Sequence, residues 1–87
     1  MQCLVLHIEH DNRPHDMSVH STKAKAEAAL VEYCWYFHAD VGGGSELPNK
    51  GDLLEWLAPY GEYAHLYACR PGKSIRELTP FRKEEEA

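Results

Sequence analysis

The sequence predicts an α+β fold: a small antiparallel sheet in β-β-α-α-β-β order, with one long and one short helix packed on one face. Three observations lead there. Apolar residues alternate with period two near both ends of the chain, an alanine-rich stretch free of glycine and proline lies between, and turn residues separate neighbouring strands closely enough for hairpins. Eighty-seven residues leave room for one domain, expected over 1–82, followed by a disordered acidic tail over 83–87. At 44 % hydrophobic and 26 % charged residues, the composition is that of an ordinary globular chain.

In the first strand Leu4, Leu6 and Ile8 alternate with Cys3, Val5 and His7; Met17 and Val19 repeat the pattern after the turn residues Asp11, Asn12, Arg13 and Pro14. If the apolar residues of both strands share a face, even positions must oppose odd ones, and two registers satisfy that condition. One pairs Leu6 with Met17, setting Cys3 against His20 and His7 against Asp16. The other pairs Leu6 with Val19, setting His10 against His15. The opposite sheet face then carries Cys3, Val5, His7, Ser18 and His20.

Ser21 or Thr22 caps a helix running to about Asp40, and Gly42, Gly43 and Gly44 stop it and open a loop to Lys50. A second helix over about Asp52 to Ala58 offers Leu53, Leu54, Trp56 and Leu57 to the core; it is too short to stand undocked. Tyr63 to Cys69 forms a third strand. Arg70 to Lys73 makes a turn with proline and glycine placed for type II, and Ser74 to Thr79 forms a fourth strand.

The long helix has two apolar faces. Ala26, Leu30, Tyr33 and Phe37 follow the spacing of a core stripe, and Ala24, Ala28, Val31 and Trp35 repeat it on the other side. One sheet covers one side only. The second stripe is therefore covered by the short helix or by another protein surface, and tryptophan among alanines has the composition of an interface anchor; the expectation is a homodimer, with a further protein partner possible.

Fourteen acidic against nine basic residues give a net charge of -5, which argues against nucleic acid as a partner, although protonating all six histidines would reverse the sign. Four of them, His7, His10, His15 and His20, fall in the first hairpin. Three cysteines without a C-x-x-C unit fit a reducing cytoplasm, and no apolar run approaches the roughly 18 residues of a membrane span. Cys34 and His38 stand at i and i+4 on the long helix, but two ligands fall short of the three or four that zinc requires, so no metal or other cofactor is expected. Gly72-Lys73-Ser74 resembles the end of a phosphate loop, yet Tyr67 occupies the position where that motif needs glycine.

No nucleophile, base and orienting group stand in recognisable spacing. The expected function is therefore that of a small, cytoplasmic, non-enzymatic interaction or regulatory protein that self-associates. The alternative is a small-ligand binder with a pocket lined by His7, His20, Trp56, Tyr60 and Tyr63; less favoured is a metal-binding or hydrolytic site at a subunit boundary. In size and style the chain is similar to short stand-alone bacterial proteins carried on mobile elements, a likeness that implies no activity.

Overall fold

The computed structural model describes residues 2–40 and 47–82. Strands β1 (Cys3–His10) and β2 (Asp16–His20) lead into helix α1 (Lys23–Asp40), followed by helix α2 (Leu53–Leu57) and strands β3 (Glu62–Cys69) and β4 (Arg76–Leu78). The four strands form one antiparallel sheet in the order β2-β1-β3-β4, so the two long strands lie at its centre and the short ones at its edges. The α+β class and the order of elements are those the sequence predicts. The expected stop at Gly42 to Gly44 and the tail over 83–87 lie outside the described residues.

Local chemistry explains the boundaries. The Lys25 N–H donates to the Thr22 hydroxyl at 3.1 Å, which caps the start of α1. Single 3-10 turns at Lys50–Asp52 and Ala58–Tyr60 flank α2, and the second ends on Gly61 at φ 74°. After β3, the Lys73 N–H bonds the Arg70 carbonyl at 3.1 Å with Gly72 at φ 72°, in keeping with the proline-glycine turn. Beyond β4, the Phe81 N–H donates to the Glu27 carboxylate and the Lys23 ammonium donates to the Arg82 carbonyl, which ties this segment to the first turns of α1.

Leu4, Leu6 and Ile8 of β1 and Leu66 and Ala68 of β3 point toward the helices. They meet Ala26, Leu30 and Cys34 of α1, Leu53 and Leu57 of α2, and Leu78 of β4. Full burial of each leucine is worth roughly 1.5–3 kcal/mol, and together they form the core. Its helix stripe is rotated from the expected one. Ala26, Leu30, Cys34 and His38 are buried, whereas Tyr33 and Phe37 flank the core.

The first hairpin differs from both expected registers. Leu6 faces Ser18, Val5 faces Val19 and His7 faces Met17, so even positions oppose even ones. Met17 and Val19 thus share the face of Val5 and His7, away from the helices, while Asp16, Ser18 and His20 fall on the helix side. The physical reason is His10. It continues the inward parity of Leu4, Leu6 and Ile8, and its buried ring needs polar partners on that same side; the observed register supplies Asp16, whereas either expected one would turn Asp16 away.

Gly61 is required where it stands. Besides its positive φ, an added Cβ would collide with the Asp11 carboxylate, whose backbone N–H donates to the Gly61 carbonyl at 3.2 Å. Gly61→Ala is expected to destabilise the fold by about 1–3 kcal/mol in urea unfolding. Gly72→Ala, with an equally positive φ but open space around the new methyl group, should cost less. Equal losses would place the whole effect in the backbone angle.

Candidate functional site

The most organised polar group in the structure lies where β1 ends and β3 begins. His10 and Glu62 are register partners, and both side chains project to the helix side. His10 Nδ1 lies 2.6 Å from Glu62 Oε2, and its Nε2 lies 2.9 Å from Asp16 Oδ2. The second Glu62 oxygen accepts from the Tyr33 hydroxyl of α1 and, at 3.1 Å, from Arg13 Nη2 of the hairpin loop. The same Arg13 nitrogen donates to the Tyr33 oxygen at 2.9 Å. Three side chains, from β1, its loop and α1, thus converge on the β3 carboxylate, and Asp16 of β2 joins the group through His10.

Electrostatics follow from that convergence. Desolvation pushes the Glu62 carboxyl up, but the hydrogen bonds from Tyr33, His10 and Arg13 outweigh it and hold the group below its ordinary range. Burial, aided by the adjacent Glu62, pushes the Tyr33 hydroxyl well above the usual tyrosine range, so it stays a donor. A neutral imidazole donates from only one nitrogen. Because both His10 nitrogens face carboxylate oxygens, full satisfaction requires one further proton shared among His10, Asp16 and Glu62.

A cleft of about 260 Å³ opens beside this group, walled by Phe37 and Tyr60 and rimmed by Asp11, Arg13 and Asp40. It contains the histidine and carboxylate that a small-ligand or hydrolytic site would need. Their availability argues otherwise. The His10 side chain is 1 % exposed with both ring nitrogens engaged, and Glu62 is 5 % exposed with both oxygens engaged, so neither presents a free atom to a bound molecule. The arrangement can fix strand register and respond to protons.

Among the described residues, no helix packs on the opposite face of the sheet. Val5 and His7 of β1, Met17 and Val19 of β2, and His65 and Tyr67 of β3 are cross-strand neighbours there. Met17 and Val19 are 67 % and 68 % exposed. His7 Nε2 and His15 Nδ1 are 2.8 Å apart, the His7 and His65 rings are 5.4 Å apart, and His65 lies between Glu9 at 3.2 Å and Glu77 at 3.5 Å. Desolvation, then the neighbouring His15 and His65, hold His7 below the usual histidine range.

The residues singled out from sequence fall in several places. Trp56 and Tyr60 pack edge-on against Phe37, and Tyr60 reaches the cleft, but His7 and Tyr63 lie on the open sheet face and His20 bonds Ser18 at 2.7 Å on the helix side of β2. These five do not surround one cavity. Cys34 and His38 are both buried; burial pushes the Cys34 thiol up to about 11, and His38 packs between Trp35 and Trp56. Among the described residues, no three histidine, cysteine, aspartate or glutamate side chains are grouped to hold a metal ion. On α1, Ala24 and Ala28 are exposed, and Val31 and Trp35 border an apolar cleft of about 310 Å³ with Leu47, Pro48 and Leu53.

The sequence reading missed His10 with Glu62, although a signal was present. Counting by twos from Leu4 through Ile8 reaches His10, and counting back from Ala68 through Leu66 reaches Glu62, which places two ionisable residues on the core face.

Fold and site together define a small α+β domain with an internal polar clamp beneath one end of an uncovered sheet. The chain matches no protein-family model, curated protein or solved structure. No helix among the described residues is long and apolar enough to cross a membrane.

Glu62→Gln removes the charge that three donors share, and should destabilise the protein by about 1.5–3 kcal/mol at neutral pH. Because the folded value lies below the unfolded one, the wild-type contribution is complete above about pH 4.3 and is lost as pH falls through the depressed value. Urea midpoints at stepped pH should therefore show wild type and variant converging on acidification. A constant gap would mean that Glu62 acts through shape rather than charge.

Proposed function

We propose that the protein is a small, non-enzymatic interaction or regulatory protein of the cytoplasm, of the size of mobile-element accessory proteins, which self-associates as a homodimer through the open face of its sheet. The exposure of Met17 and Val19, in register with His7 and Val5, carries this reading. Single exposed apolar residues need no explanation, but a row spanning adjacent strands on an uncovered face marks a contact surface. Face-to-face packing is favoured over edge pairing because both edges are short: β2 has five residues, and β4 has three, two of them the charged Arg76 and Glu77.

A second copy fits this face on charge grounds. The surface carries the histidines His7, His15 and His65 together with Glu9 and Glu77, so a twofold arrangement sets a group of mixed sign against itself. A second contact surface is favoured by the apolar cleft beside Val31 and Trp35, with Trp35 51 % exposed; with Ala24 and Ala28 it is the place for a further protein partner.

Sedimentation velocity of the full chain over micromolar concentrations tests the first surface. Wild type is expected to self-associate, Val19→Glu to remain monomeric with an unchanged circular dichroism spectrum, and Trp35→Glu to associate as wild type does. A wild type that stays monomeric at high micromolar concentration overturns self-association, and a dimer broken only by Trp35→Glu moves it to α1.

Association should also weaken between about pH 7 and pH 5. In the single chain, desolvation and the neighbouring histidines already hold His7 below the ordinary histidine value of about 6.5. A second copy laid over this face desolvates the ring further, so the separated chain takes up the proton more readily and acid favours separation. Each pKa unit of difference corresponds to about tenfold in the dissociation constant. His7→Gln should flatten part of this dependence, read against His15, His65, Glu9 and His10, which act on the same ring. A profile that is flat in wild type removes the histidines from the interface.

A further inference from the structure

Cys3 and Cys69 are register partners in the central pair of strands, with half-buried side chains on the same open face. All three cysteines are free thiols, but Cys34 is buried in the core on the other side of the sheet. The spacing of the strand pair follows from the ladder. The Asp11 N–H bonds the Gly61 carbonyl one residue pair beyond the end of β1, and that pair continues the register of His10 with Glu62. In an antiparallel ladder, hydrogen-bonded pairs recur at every second position. Odd-numbered residues of β1 therefore sit in hydrogen-bonded pairs, Cys3 with Cys69 among them. Such pairs hold their Cα atoms about 5.5 Å apart, within the roughly 4.4–6.8 Å that a disulfide spans. Their Cβ atoms, about 5 Å apart, must draw in toward the roughly 3.5–4.5 Å of the bond, which leaves a cross-strand bridge here strained and readily reduced.

We propose that Cys3 and Cys69 form a reversible dithiol site that a low-molecular-weight disulfide, such as oxidised glutathione, converts into an intrachain cross-strand disulfide. The thiolate of one cysteine attacks the oxidant's S–S bond, forming a mixed disulfide and expelling one glutathione thiolate. The second cysteine, as thiolate, attacks the protein sulfur of that mixed disulfide and expels the other. Two protein thiols and one oxidised glutathione become one protein disulfide and two reduced glutathiones, and the two protein protons end on the glutathione sulfurs. Position favours the second step, because the resolving sulfur belongs to the directly opposed residue of the neighbouring strand.

The bond would close a loop of almost the whole domain, from the first residue of β1 to the last of β3. It would also change the open face, replacing two thiols by a fixed bridge next to Val5 and Tyr67. The site does not depend on self-association, since both sulfurs belong to one chain.

The full-length protein, equilibrated in glutathione buffers of stepped redox ratio, is alkylated and digested without reduction, and its cysteine peptides are weighed. The expected product is a peptide pair linked through Cys3 and Cys69 on a monomer in a non-reducing gel, with Cys34 still alkylated after unfolding. Cys3→Ser should leave Cys69 as the glutathione adduct, and Cys69→Ser should leave Cys3 so, each stalled at the mixed disulfide. Independent glutathione adducts on both wild-type cysteines, a bridge between two chains, or a bridge to Cys34 would each overturn the proposal.

Discussion

A carboxylate buried against the core is the constraint around which this small fold is organised. Glu62 begins β3 at a point where water has been removed, and an isolated charge there would be costly enough to unfold the domain. It is tolerated because Tyr33, His10 and Arg13 approach it from α1, β1 and the hairpin loop. Each donor comes from a different segment. The helix cannot slide along the sheet, the loop cannot open and the central strands cannot shift by a residue without leaving this group unsatisfied.

The uncovered face of the sheet is a consequence of the same constraint. His10 has a second nitrogen to satisfy, Asp16 satisfies it, and the register that brings Asp16 inward turns Met17 and Val19 outward. Polar satisfaction on one side of the sheet is obtained by giving up apolar burial on the other. Burying a valine and a methionine is worth roughly 1.5–3 kcal/mol each, comparable with the penalty for an unpaired buried polar group. The competition is close enough that a contact surface able to rebury both side chains changes its terms.

The fold was legible where sequence patterns are local. Alternation from Cys3 to Ile8, the unbroken α1 stretch after Thr22 and the proline-glycine turn after Arg70 each specify their own element, and the observed ranges follow them closely. The site was legible only as parity, which turns His10 and Glu62 inward; that the two meet depends on a pairing 52 residues apart in sequence. The hairpin register depends on His10 taking Asp16 as its second partner, which apolar patterning does not weigh. Assigning Met17 and Val19 to the core followed the general preference for apolar burial; that preference lost to one histidine whose partners lie on two other strands. The same limit applies to α1. Tyr33 was read as a core residue from its spacing, but its hydroxyl group makes it the helix's contribution to the clamp, and the stripe rotates to bury Cys34 and His38 instead.

The central pairing of β1 with β3 has a bearing on how the chain is born. During synthesis β1 and β2 leave the ribosome before α1, α2 and β3, so Leu4, Leu6 and Ile8 emerge on one side of the hairpin ahead of the elements that cover them. Alone, a two-stranded hairpin is marginal in water. β1 must wait for the long helix, the short helix and then β3 before its central neighbour exists, and contacts so distant in sequence are slow to form. The nascent hairpin therefore passes through a period with both faces wet, in which a chaperone or a neighbouring nascent chain competes with β3 for the same strand edge.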